Sequence, residues 1–171
     1  MTVVETERLV LREFTPEDAE FILRLLNEPS FIANIADRGV RTTDDAAAYL
    51  TDGPIRSYAA HGHGLWLVAL KEAGMQPIGM CGLLRREQFE DVDLGYAFLP
   101  EFWSRGFAFE AAAAVLEYGK RSLGLARAIA LVAPHNAGSI RLLEKLGFAF
   151  SSHVQMKPGA PDTAVYELPS L

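Results

Sequence analysis

The 171-residue chain has one cysteine, Cys81, so it holds no internal disulfide, and a lone thiol fits a reducing compartment. No apolar run approaches the roughly 18 residues needed to cross a bilayer, so no membrane partner is predicted. The opening MTVVETERLVLRE is charged almost at once and lacks an apolar stretch, which predicts no secretory signal and a cytoplasmic protein. There is no basic stripe, and a pI near 5.2 disfavours nucleic acid. Neither Gly-Lys-Ser/Thr nor G-x-G-x-x-G occurs, which excludes the Walker phosphate loop and the dinucleotide fingerprint. His61 and His63 flank glycines and His135 stands apart, with no further ligand at metal spacing, so no metal is predicted. Internal repeats, low-complexity tracts and long linkers are also missing.

What is present is a globular composition, 50% hydrophobic and 22% charged, long enough for one domain over residues 1–171. The net charge of −6 is uneven. Residues 1–93 hold 9 Lys+Arg against 16 Asp+Glu, and residues 94–171 hold 7 against 6. An acidic front half and a slightly basic back half suit a cationic acceptor meeting an anionic cofactor; scattered surface charge is the plainer alternative.

Hydrophobic periodicity and turn signals divide the chain. Arg8–Arg12 alternates as a strand. Thr15-Pro16-Glu17-Asp18 opens a helix carrying Ala19, Ile22, Leu23 and Leu26, with Pro29 as its stop. Thr42–Asp45 opens a shorter helix to Leu50, and Gly53-Pro54 ends it or begins another turn. Leu65–Leu70 and Ile78–Leu84 read as a hairpin around the turn-rich Lys71–Pro77, and Val92–Leu99 as a further strand. A long helix runs from about Gly106 to Leu123, closed by Gly124. Ala128–Ala133 is a buried strand, Asn136–Leu146 a helix closed by Gly147, and Phe148–Met156 with Ala164–Leu168 two final strands. This order predicts one α/β domain of the α+β type.

Pro100–Glu110 joins a strand directly to an alanine-rich helix. Gly106 and Ala108 are small where the loop enters the helix, so consecutive backbone N–H groups can point into one concavity at the positive end of the helix dipole. Such a nest holds phosphate oxygens without a dedicated cation, although Arg105 stands nearby. A tight strand-to-helix turn would look the same.

The downstream pattern separates these readings. Asp93-Leu94-Gly95-Tyr96, then Gly106-Phe107-Ala108, then Asn136 through Phe148 with its Glu144-Lys145-Leu146-Gly147-Phe148 close, resemble the GNAT superfamily of N-acetyltransferases. The opening Thr6–Arg12 and Glu17-Asp18-Ala19 are similar to its RimJ/RimL branch, so the resemblance spans nearly the whole chain. It implies a mixed, mostly antiparallel sheet of six to seven strands, helices on both faces and a splayed central strand pair. It implies acetyl-CoA as cosubstrate, with the backbone of Tyr96, Ala97 and Phe98 pairing with the pantetheine arm. Ser104, Arg105, Gly106, Phe107, Ala108 and Phe109 would hold the pyrophosphate, and Asn136 would bond the cofactor arm as well as cap its helix. Trp103 replaces the usual Gln/Arg of the superfamily loop. Phe109 replaces a small hydroxyl residue, and Leu143 stands where many members carry a tyrosine acid.

By the same resemblance, an amine attacks the thioester directly and Ser139 donates to the leaving sulfur. A thiol pKa near ~8.5 means that departing thiolate needs little help. Asp93 is the best-placed base, with Glu87, Glu90 and Asp91 as solvated alternatives. A peptide α-amine is roughly a tenth free at pH 7 and a lysine amine far less, which favours an N-terminal or small primary amine as acceptor. A non-catalytic acyl-CoA sensor and an acyltransferase for longer chains are the competing functions. The protein is expected to be a monomer or homodimer.

Overall fold

The computed structural model describes all 171 residues. In chain order, β1 (Thr2–Glu5) and β2 (Leu9–Arg12) precede four helices, α1 (Ala19–Leu26), α2 (Pro29–Asn34), α3 (Thr43–Leu50) and α4 (Arg56–His61). Three strands follow, β3 (Leu65–Leu70), β4 (Gln76–Leu84) and β5 (Val92–Phe98). The chain then runs through α5 (Phe107–Leu123), β6 (Ala128–Val132), α6 (Ala137–Lys145), β7 (Ala149–Gln155) and β8 (Asp162–Leu168). All strands lie in one open sheet, ordered β1-β2-β3-β4-β5-β6-β8-β7. Every pairing is antiparallel except β5 with β6.

The sheet has eight strands, not six to seven. The additional one is β1, which the chain reaches by a tight reversal. Thr6 N–H donates to the Leu9 carbonyl at 2.9 Å, and Leu9 N–H donates to the Thr6 hydroxyl at 3.0 Å. Pro29 begins α2 instead of only ending α1, since its missing N–H costs nothing at a first helical position. Beyond Leu50 the helical path continues through a wide turn, Thr51–Ile55, into α4. β4 starts at Gln76, two residues before the predicted Ile78. Pro77 has no N–H for the ladder, and the register slips there between Val68 and Ala69 of β3.

β3 is buried at all six positions, so both faces of the sheet centre are covered. On one side Trp66 meets the α5 residue Tyr118 edge to face, with ring centroids 5.4 Å apart. On the other, α1 and α3 pack together, and the Tyr58 hydroxyl of α4 donates to the Leu65 carbonyl while accepting from Phe14 N–H. β7 is exposed along almost its whole length at the sheet's edge.

What positions the site is the junction of β5 and β6. They share only Val92↔Ala128 and Asp93↔Ile129 before diverging. From Leu94 onward β5 keeps β4 on one side and has no strand on the other. In the β4–β5 ladder Leu99 N–H donates to the Ile78 carbonyl, and antiparallel pairing alternates. The N–H and C=O groups of Leu94, Tyr96 and Phe98 therefore face the gap.

Candidate active site

The fork opens into a cleft of about 630 Å³, walled by β5, β6, the loop before α5 and the first turns of α6. Of the residues named from the sequence, Asp93, Tyr96, Ala97, Phe98 and Ser139 line it, as do Asn136 and the stretch Ser104, Gly106, Phe107, Ala108 and Phe109. Two expectations need correction. Ala97 lies on the wall, but its backbone groups face Met80 on β4, so only Tyr96 and Phe98 of that triplet offer polar backbone to the gap. Arg105 does not line the cleft at all. Its guanidinium stacks over Phe107 at 4.9 Å and Phe102 at 5.7 Å, held outside by the rings.

The loop has the backbone geometry of an anion nest. Ser104 and Gly106 both have positive φ, +59° and +82°, on either side of Arg105. Gly106 is the N-cap of the 17-residue α5, so the first free N–H groups of that helix open toward the cleft. Trp103 donates its indole N–H to the Phe98 carbonyl at 2.9 Å, tying the loop back to the free edge of β5.

A polar strut reaches the same loop from the far side of the sheet. Glu110, in the first turn of α5, accepts from the Thr6 hydroxyl at 2.6 Å and from Arg8 Nε at 2.8 Å. Burial pulls its pKa up, but these bonds hold it below the usual glutamate value. Arg8 also lies over the Phe107 ring at 4.3 Å and donates to the Arg105 carbonyl at 3.0 Å. Residues 102 apart in sequence thus brace the nest, and no local pattern announced them.

Asp93 sits at the crotch of the fork, 3% exposed. Burial pushes its pKa up to about 6, against the opposing pull of Arg86 and the Leu131 backbone. Arg86 Nε donates to its carboxylate at 2.7 Å. Farther along the cleft, Asn136 caps α6 by accepting from Ser139 N–H at 3.3 Å, while its side-chain amide has no partner within the chain. Ser139 Oγ lies 2.5 Å from the hydroxyl of Tyr96, which reaches across from β5. Desolvation pushes the Tyr96 phenol up to about 12, so it stays protonated at neutral pH. Leu143, one turn past Ser139, is buried and apolar. A phenol is supplied to this end of the cleft after all, from the opposite wall. The sequence pointed only to the backbone of Tyr96.

The fold agrees with that of known proteins. Residues 8–149 match the model of the acetyltransferase (GNAT) domain. A Bacillus subtilis protein, YoaA, described as an uncharacterized N-acetyltransferase, is 30% identical over 97% of this chain and 96% of its own. An acetyltransferase of the GNAT family from Bacillus anthracis superposes with a TM-score of 0.80 at 25% identity, over 99% of this chain and 98% of that one. A ribosomal-protein-S5-alanine acetyltransferase from Vibrio fischeri shares the fold, with a TM-score of 0.72 at 18% identity over 99% of this chain and 97% of that one. A matched family model over most of the chain, together with a relative of this identity and coverage, places it: the protein belongs to the GNAT family of acetyltransferases.

Proposed function

We propose that the protein moves an acetyl group from acetyl-CoA to a primary amine, either a protein N-terminus or a small amine, as a relative of the RimJ/RimL branch. The observation that carries this reading is the fork. One cleft holds an unpaired strand edge, an anion nest beyond that edge and a hydroxyl pair bridging the edge to α6. Pantetheine amides suit the gap-facing N–H and C=O of Tyr96 and the N–H of Phe98 as an inserted strand would, the Phe98 carbonyl being taken by the Trp103 indole. The unpartnered amide of Asn136 suits a carbonyl of that arm. The pyrophosphate suits the N–H groups from Ser104 to Phe109, and with Arg105 stacked outside, backbone dipoles do most of that work. The fold likeness to the Vibrio fischeri enzyme, whose name specifies a ribosomal-protein alanine, favours the branch assignment.

In the reaction the acceptor nitrogen attacks the thioester carbon, and the developing oxyanion is met by a gap-facing N–H of β5. Asp93 takes the amine proton, either directly or through water. Ser139, backed by the Tyr96 phenol, donates to the leaving sulfur. The test is thiol release from acetyl-CoA across a panel of N-terminal peptides and small amines. Tight acetyl-CoA binding with no release on any amine would instead identify a sensor, and preference for longer acyl chains a different acyltransferase.

Two outcomes follow from this assignment. Gly106→Ala places a Cβ at positive φ, a strain of about 1–2 kcal/mol, and 3.2 Å from Arg8 Nη2, which must give way. The KM for acetyl-CoA is expected to rise about tenfold with kcat little changed, since each 1.4 kcal/mol is a factor of ten. A change under twofold would mean the nest geometry is not used.

The second concerns pH. With a folded pKa of about 6, Asp93 becomes a base as pH rises through that value, and kcat/KM should rise on the same limb. Asp93→Asn is expected to remove the limb and lower kcat about tenfold; a limb that persists in the variant excludes Asp93 as the base. Stability runs the other way. A carboxyl whose folded pKa is raised contributes stability fully present below its unfolded value near ~3.9 and lost as pH rises through about 6. The drop in Tm from pH 4.5 to 7.5 should therefore shrink in Asp93→Asn.

A further inference from the structure

Beside the cleft, on the side of α3, the wide turn and α4, lies a second hollow of about 420 Å³. Arg38, Tyr49, Leu65, Leu84 and Arg86 belong to both, so the two adjoin across that shared wall. The hollow meets the cleft at Arg86, whose other side holds Asp93 at the fork. It therefore opens at the acceptor end, away from the nest and α6.

Its charge is the reverse of what residues 1–93 suggest as a whole. Arg38, Arg56, Arg85 and Arg86 line the hollow against a single carboxylate, Asp52, with His61 on the same wall. Of these four guanidiniums only Arg86 has a carboxylate partner, Asp93. Arg38, Arg56 and Arg85 form no ion pair, although most arginines elsewhere in the chain are paired. Arg85 is steadied by donating to the Glu90 carbonyl at 2.5 Å. Tyr49, Arg38 and Arg86 all line the wall that the two cavities share. The remaining wall includes Pro54, Leu65 and Leu84, an apolar floor.

Unpaired guanidiniums around a hollow repel a polyamine and suit an oxyanion, which they bind through charge-assisted, bidentate hydrogen bonds. Building on the acetyl-transfer reading above, we propose that the acceptor is an amine bearing a carboxylate, which Arg38 and Arg56 hold in this second hollow while the amine reaches toward Asp93. The acidic surplus of the front half is then a feature of the outer surface, and the notion of a cationic acceptor is set aside. The arginines act as specificity-determining residues: they touch the acceptor's anion and take no part in bond making.

The test compares kcat/KM for several L-amino acids, each beside its amide and its decarboxylated amine. Peptides with an acidic second or third residue, O-phosphoethanolamine and spermidine complete the panel, and acetyl-CoA binding is measured separately by calorimetry. Carboxylate-bearing acceptors should exceed their decarboxylated counterparts by at least tenfold. The free amino acids and the acidic peptides together tell whether an α-carboxylate or a side-chain carboxylate is read. In the double variant Arg38→Ala/Arg56→Ala that preference should fall below threefold, and Arg→Lys at both sites should recover part of it. Loss of folding would lower all acceptors alike and leave the ratio unchanged, which separates a structural role. Equal use of the decarboxylated amines, preference for phosphate over carboxylate, or preference for spermidine overturns the proposal while acetyl transfer stands. If acetyl-CoA binds but no amine of any charge releases thiol, the acetyl-transfer reading itself falls, and this proposal with it.

Discussion

Gly82→Ala is expected to destabilise the protein by about 3 kcal/mol, lowering Tm by about 10 °C in a chain of this size. A Cβ on Gly82 would stand 1.9 Å from the Gly64 carbonyl oxygen and 2.8 Å from Leu65 Cα. These are backbone atoms of the segment leading into β3, so no rotamer change relieves the contact. The same carbonyl accepts from Leu83 N–H at 3.2 Å, and the buried His63 ring lies 2.8 Å from the Leu83 carbonyl through Nδ1. β4 is therefore pressed against residues 63–65 along three consecutive groups, and displacing Gly82 pulls on all of them. Because Gly82 also pairs with Gly95 on β5, the shift reaches the strand that forms the free edge of the cleft. Gly53→Ala is the control: its Cβ would meet nothing within 4 Å and its φ is not positive, so stability should change by less than about 1 kcal/mol. Thermal melts of both variants decide the matter, and a Gly82→Ala melt within 2 °C of the parent would show that β4 does not need this close approach.

That contact also marks where sequence reading stops. Hydrophobic patterning located β2, β3, β5, α5, β6 and α6 well, and a glycine or proline near one end marks β3, β5, α5, β6 and α6. β1 lacks such a signal; four residues, Thr2–Glu5, become a strand only because β2 offers an edge. α4 (Arg56–His61) buries no residue fully and is anchored through the Tyr58 hydroxyl on Phe14 and Leu65, a tertiary cause invisible in the local string. At the site the division is similar. The loop and the Asn136 segment were legible because they contribute backbone and a helix cap, both local properties. The Arg8–Glu110 brace and the arginine hollow come from side chains on distant elements brought together by tertiary packing. A net charge summed over residues 1–93 gave no sign of the hollow, because it averaged over a surface on which Arg38, Arg56, Arg85 and Arg86 cluster.

Ser139→Ala is expected to lower kcat about 30-fold while the KM for acetyl-CoA moves less than threefold. A hydrogen bond to a charged group contributes about 1.5–3 kcal/mol, which corresponds to roughly 10- to 100-fold in rate. The leaving thiolate carries full charge only late in the reaction, so that bond is worth most near the transition state and little in the ground state. Ser139 alone is a weak acid, and its hydroxyl must also be aimed. Tyr96 does both, lying 2.5 Å from Ser139 Oγ with a phenol that desolvation keeps protonated. If the pair works as one relay, Tyr96→Phe should cost about tenfold on its own and almost nothing once Ser139 is already alanine, since groups acting as a unit are strongly non-additive. Independent packing roles would instead make the two losses multiply. Single-turnover rates are the proper readout, because they exclude product release as the slow step. Leu143 strengthens the case physically: it is buried and apolar one turn beyond Ser139, so on α6 Ser139 is the hydroxyl that meets the phenol from β5. Should both single variants keep kcat within twofold, the thiolate leaves unaided, as its pKa near ~8.5 permits, and the hydroxyl pair serves only to hold β5 and α6 across the fork.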